Sequence, residues 1–143
     1  MAKGAYVLKE EKDADVTLIG VGAELSFAVN VAESLSKRSA PLKARVVSFP
    51  SHALFRKQSL EYERQVRRRG ENIPAVVIEP YVSLGWERWA DAGLNMKGYG
   101  HSLPGKYIYG HFGYETDSMA KRVEGFVKHF RGGEIGRGEY VEL

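Results

Sequence analysis

Cysteine is absent from the 143 residues, which excludes disulfides, thiolate zinc sites and cysteine nucleophiles. Its absence is compatible with a reducing compartment, and the cytoplasm is the expected location. Long apolar runs are absent too. None approaches the roughly 18 residues that a membrane span needs, and Met1-Ala2-Lys3-Gly4-Ala5-Tyr6 lacks the hydrophobic segment of a secretory signal. The ending Tyr140-Val141-Glu142-Leu143 matches no lipidation or retrieval signal. Charge of one sign is scarce: the net is +3, far below what polyanion-binding proteins gather on one face. Neither nucleic acid nor a membrane is an expected partner. The one basic cluster, Arg64, Arg67, Arg68 and Arg69, suits a helix C-terminus, where cations face the negative end of the helix dipole.

What is present is a globular composition, 43% hydrophobic and 27% charged, in a length that fits one domain with a real core. One domain over residues 1–143 is expected, with 1–3 and 134–143 loosely ordered. Tyr6-Val7-Leu8 reads as an edge strand. Asp15–Gly22 is β-branched, almost wholly apolar and ends in glycines, the pattern of a buried strand. Leu25, Ala28, Val29, Ala32 and Leu35 then fall on one helical face, closed by Lys37 and Arg38. Lys43–Phe49 is the next strand, stopped by Pro50.

A short helical turn over Ser51–Lys57 and a charged helix over Ser59–Arg69, ended by Gly70, lead to a third buried strand, Pro74–Glu79. A helix over Gly85–Ala92 carries Trp86 and Trp89, three apart and facing the sheet. Residues 93–113, rich in glycine, read as a long loop holding a short strand near Asn95-Met96-Lys97 and a helical turn after Pro104. Thr116 caps the last helix, whose stripe is Met119, Val123, Phe126, Val127 and Phe130, with Gly132-Gly133 as its stop. The tail frays unless it docks. Strands alternating with helices imply an α/β fold with a mostly parallel sheet covered on both faces.

Candidate sites are few. Gly20-Val21-Gly22-Ala23-Glu24 joins a strand to a helix, where doubly wound folds admit phosphates to helix N-terminal amides. The dinucleotide fingerprint needs glycine three positions after Gly22, and that position is Leu25. Glu24 suits the helix dipole but repels a phosphate. Glu79 ends a strand at the edge where open α/β sheets place their crevice, and is the best single candidate. Loop histidines His101 and His111 titrate near neutrality and could serve acid–base chemistry, although no partnered nucleophile accompanies them. His52 and His129 form no zinc-binding pair. Ser102-Leu103-Pro104-Gly105-Lys106 lacks the second glycine and the ending of a phosphate loop. Gly20, Gly22, Glu24, Glu79 and His101 thus form the candidate anion or regulatory site.

Read in order, several segments resemble the C-terminal domain of transketolases and the related dihydroxyacetone synthases. They are Gly4–Leu8, Asp15–Glu24, Ala44–Pro50, Phe55-Arg56-Lys57-Gln58 with Glu61-Tyr62, Glu79 before Trp86, then Pro104-Gly105-Lys106, Phe112-Gly113 and Thr116. Each piece is short, but the ordered set covers nearly the whole chain. Asn95–Leu103 departs from the family, which carries an aspartate and a Phe-Gly-Ala-Ser-Ala pattern there.

The resemblance implies a three-layer α/β/α fold with a five-stranded mixed, mostly parallel sheet whose first strand is antiparallel. It also implies that two larger domains of a homodimeric parent hold thiamine diphosphate and magnesium. The diphosphate motif of such a parent begins Gly-Asp-Gly, a tripeptide that this chain lacks. No catalytic, cofactor-binding or metal-binding residue is therefore expected here. The implied role is a structural and assembly domain, with a regulatory pocket as an option, of an enzyme moving a two-carbon unit from a ketose to an aldehyde. Its partners are the parent's other domains, and a dihydroxyacetone synthase parent would place it in peroxisomes. Met1 lies near the family's domain boundary, so a fragment, inactive alone, is expected. The alternatives are a free-standing Rossmann-like module for a small anionic metabolite, at the Gly20–Glu24 turn and Glu79, and a self-standing enzyme using His101 or His111.

Overall fold

The computed structural model describes residues 3–67, 73–79, 85–95, 116–133 and 140–143. In chain order the elements are β1 (Tyr6–Lys9), β2 (Val16–Gly20), a 3-10 turn (Gly22–Glu24), α1 (Leu25–Ser36) and β3 (Ala44–Ser48). Then come α2 (His52–Phe55), α3 (Leu60–Arg67), β4 (Ala75–Glu79), a second 3-10 turn (Trp86–Arg88) and β5 (Ala92–Asn95). The long helix α4 (Thr116–Arg131) and β6 (Val141–Glu142) complete them. The sheet runs β1-β3-β2-β4-β5-β6. All neighbours are parallel except β1 against β3, which pair antiparallel with a register shift between Val7 and Lys9.

Alternation along each central strand sends side chains to two cores, which makes three layers. Val16 and Leu18 of β2, Val46 of β3, and Val76 and Ile78 of β4 meet α1 and α4. Ile19, Val47 and Val77 meet the other layer, in which Phe49, Phe55, Val66, Trp86 and Trp89 gather. Phe49 is the hub there, with ring centroids 4.9 Å from Phe55 and 5.2 Å from Trp86, both edge-on. Such pairs add to the area that the rings bury.

One cation is buried within this second layer. Arg45 is 0% exposed, and its guanidinium donates to Glu10 Oε1 at 2.7 Å, to the Val66 carbonyl at 2.8 Å and to the Gln65 carbonyl at 3.3 Å. Those carbonyls end α3, so a positive group inside the fold satisfies acceptors that the helix cannot.

The fold class matches the expectation, and the differences are local. Among the described residues the sheet has six strands rather than five, because Val141–Glu142 adds to the β5 edge. Thus the end of the tail docks: Val141 N–H donates to the Asp91 carbonyl and Leu143 N–H to the Gly93 carbonyl, each at 3.0 Å. The rest of the tail, 134–139, lies outside the described residues, as do the expected strand positions Met96 and Lys97 and the helical turn after Pro104.

The helix expected over 85–92 is a single 3-10 turn, and its last expected residue, Ala92, already belongs to β5. Asp91 explains the early strand. Its N–H donates to the Ala75 carbonyl and its carboxylate accepts the Ala75 N–H, both at 2.8 Å, which aligns 92–95 with β4. In α1, Val29 is exposed and Val31 is buried in its place. No helix among the described residues is long and apolar enough to cross a membrane.

Candidate functional site at the carboxyl edge of the sheet

β2 leads through α1 to β3 on one side, while β4 pairs with β2 on the other. The strand order therefore reverses between β2 and β4, and open α/β sheets place their ligand crevice beyond the carboxyl ends of such a pair. Gly20 ends β2 opposite Ile78, and Glu79 ends β4 one residue later. Gly20, Gly22, Glu24 and Glu79 are thus brought to one edge; His101 and His111 lie outside the described residues.

Both glycines have a physical reason at this turn. A Cβ on Gly20 would stand 2.6 Å from the Leu25 Cα, so helix and strand approach too closely for a side chain. Gly22 has open space around it but a φ of +57°, a conformation other residues rarely adopt. Together they fold the chain so that Glu24 turns inward, only 6% exposed.

Glu79 lies within electrostatic range of that carboxylate. Its own carboxylate accepts the Trp86 indole N–H. Burial pushes the Glu79 pKa up, the Trp86 hydrogen bond opposes the rise, and the negative charge of Glu24 adds to it. Tyr140 is also held above its ordinary value, by burial first and then by the charges of Glu142, Glu87 and Glu79. His52 follows the end of β3 and stands edge-on to Trp86, with ring centroids 4.4 Å apart. Burial lowers its pKa, and Arg56 lowers it further.

Sequence reasoning left His52 and Tyr140 out of the site. His52 could have been found from its place just past Pro50 at a strand's carboxyl end. Tyr140 had no local signal, since only the pairing of β6 brings it near. On the helical face, a groove of about 650 Å³ runs between α1 and α4. Within it Lys37 pairs with Glu33 at 2.9 Å and Arg38 with Glu124. Arg67, from the basic cluster, pairs with Glu63 at 2.9 Å and lies over the Trp89 ring; Arg68 and Arg69 are outside the described residues.

The chemistry of this edge is that of two carboxylates, Glu24 and Glu79, beside aromatic rings. It presents carboxylates where a phosphate or diphosphate needs donors and positive charge. The described residues therefore do not fit thiamine diphosphate, and among them no group of three His, Cys, Asp or Glu is placed to hold a metal ion. The small-anion reading meets the same obstacle at Glu24 and Glu79.

Comparison with known proteins settles the lineage. The family model described as the transketolase-like TK C-terminal domain matches residues 4–115. The chain belongs to that family. Dihydroxyacetone synthase from Candida boidinii is 44% identical over 99% of this chain, but that match covers 20% of the relative. A probable transketolase from Schizosaccharomyces pombe is 35% identical over 90% of the chain and 18% of its own length. Among solved structures, transketolase from Leishmania mexicana superposes with a TM-score of 0.82 at 33% identity, covering 90% of this chain and 18% of that one. Transketolase from Pichia stipitis in complex with sedoheptulose 7-phosphate gives 0.84 at 28% identity, over 91% and 19%. The transketolase C-terminal domain thus spans about a fifth of the curated relatives it matches.

Proposed function

We propose that this chain is one structural and assembly domain of a ketol transferase that moves a two-carbon unit from a ketose to an aldehyde, and that alone it is inactive. The observation that carries this reading is the extent of the match to Candida boidinii dihydroxyacetone synthase: 99% of the chain against 20% of the relative. A match of that extent makes the chain equivalent to one part of a larger enzyme. Thiamine diphosphate with magnesium supplies the chemistry of such a parent, and we assign both to its other domains, because this chain lacks the Gly-Asp-Gly tripeptide with which the diphosphate motif of such a parent begins. The carboxyl edge then serves to hold the turn, the Trp86 segment and the final strand together, with regulation as a further role. The proposed partners are the parent's remaining domains and, through them, a second copy. The proposed location is the cytoplasm, or peroxisomes for a dihydroxyacetone synthase parent.

A chimera tests the assembly role. This chain replaces the matching fifth of the Candida boidinii relative, and sedimentation and turnover are measured together. The expected product dimerises and turns over at a rate within about a hundredfold of the relative, the loss that a misplacement of about 1 Å arising at a distant site can cause. A folded chimera that stays monomeric and inactive contradicts the proposal.

A further inference from the structure

The aromatic layer contains a buried indole donor that the described residues leave unmatched. Trp89 is 1% exposed, and its indole Nε1 has no acceptor among them. Buried indole N–H groups almost always find a partner. A cavity of about 10 Å³ lies against this ring, lined by Arg67, Ile73, Ala75, Trp89 and Asp91. That volume is close to the space one water molecule requires, and a buried water also requires two to four polar partners.

The lining supplies them. Trp89 offers an N–H, and Arg67 brings its guanidinium to the same cavity. Asp91 offers a carboxylate, of which Oδ2 takes the Ala75 N–H at 2.8 Å. Two donor groups and an acceptor select the occupant by chemistry. A metal ion or an ammonium cannot accept from an indole N–H, an anion would meet the Asp91 charge, and an organic molecule exceeds the volume. Only water both accepts and donates at this size. We infer that the cavity binds one ordered water, which accepts from Trp89 Nε1–H and donates to the Asp91 carboxylate.

The position gives this water a structural task. Asp91 opens β5, holds Ala75 at the start of β4 and accepts the Val141 N–H of β6. Trp89 closes the 3-10 turn that carries Trp86 to Glu79. A water between Trp89 and Asp91 ties that turn to the amino end of β4 and β5, opposite the edge where Trp86 meets Glu79. It thereby helps to fix the angle from which the indole of Trp86 reaches the carboxylate.

A crystal structure of the chain at solvent-resolving resolution tests the inference. The expected result is a water oxygen about 2.8–3.1 Å from Trp89 Nε1 and within hydrogen-bond reach of Asp91. Density with no water there, or a protein carbonyl accepting the indole N–H, overturns it. In solution, the Trp89 indole proton is expected to show a long-lived cross-peak to water by NMR. Trp89→Phe, which keeps a ring and removes the donor, is expected to lose the water from a crystal structure of the variant. A fully occupied water in that variant contradicts the role given to Nε1.

Discussion

The Trp86 indole N–H donates to the Glu79 carboxylate across the carboxyl edge of the sheet, joining a 3-10 turn to the end of β4. The same carboxylate is pushed toward its protonated form by burial and by Glu24. A folded-state pKa above the unfolded value of 4.5 means that the native state binds the proton more tightly. The stability so gained is full below that value and is lost as pH rises through the raised pKa. Glu79→Gln keeps an acceptor for Trp86 and removes the charge that Glu24 disfavours. It is expected to flatten the stability profile just above pH 4.5 and to leave the protein at least as stable at pH 7. Urea unfolding at closely spaced pH values checks this; a variant with the wild-type slope in that window would rule it out.

His52 has the opposite sign. Its folded pKa lies below 6.5, so the native state holds the neutral ring and loses stability as pH falls below 6.5. A proton NMR titration should give a midpoint for His52 below that value. His52→Phe, which preserves the edge contact to Trp86, should remove this part of the acid sensitivity.

The two glycines of the β2–α1 turn should respond differently to alanine. At Gly20 the new Cβ meets Leu25 backbone at 2.6 Å, so helix and strand must separate at a cost at or above the upper end of the about 1–3 kcal/mol typical of overpacked cores. At Gly22 there is room, and the φ of +57° alone costs about 1–2 kcal/mol. Denaturation midpoints of Gly20→Ala and Gly22→Ala give the order directly. Equal midpoints would mean that close approach is not what requires Gly20.

Arg45 offers a third contrast. Arg45→Met deprives the Val66 and Gln65 carbonyls at the end of α3 of their buried donor, an expected loss of about 1–3 kcal/mol. Glu10, whose side chain is 58% exposed, can turn to water, so Glu10→Gln should cost no more than about 1 kcal/mol. Thermal melts of both variants check the asymmetry, and a small effect of Arg45→Met would show that water reaches the site.

Deleting 140–143 uncovers the edge of β5, since Val141 and Leu143 donate to its flank at 3.0 Å. The amide hydrogen of Gly93, on the flank whose carbonyl accepts the Leu143 N–H, should then exchange faster, with a fall in stability of about 1–3 kcal/mol for the lost pairing and burial. Unchanged exchange in β5 would show that β6 contributes no protection.

Much of this architecture is legible in the chain because its signals are local. Val16–Gly20, Ala44–Ser48 and Ala75–Glu79 are apolar runs bounded by glycine or proline, and they form the centre of the sheet. β5 is hidden because Ala92-Gly93-Leu94-Asn95 has almost no intrinsic strand preference; Asp91 and its bonds to Ala75 impose it. β6 is two residues long and exists only against β5. Val29 and Val31 differ by two positions, and only the direction of α1 across the sheet decides which is buried. The candidate site divides in the same way. Gly20, Glu24 and Glu79 were readable from their places at strand ends, whereas the approach of Tyr140 and the ring contact of His52 with Trp86 arise from pairing across long sequence distances.

The central claim, that this chain is one part of a larger enzyme and carries no cofactor site of its own, has a direct measurement. The purified chain is titrated with thiamine diphosphate and magnesium in a calorimeter, and ketol transfer is assayed on the same sample. No heat of binding and no turnover are predicted. Saturable binding or measurable turnover would contradict the account and place a cofactor site within these 143 residues.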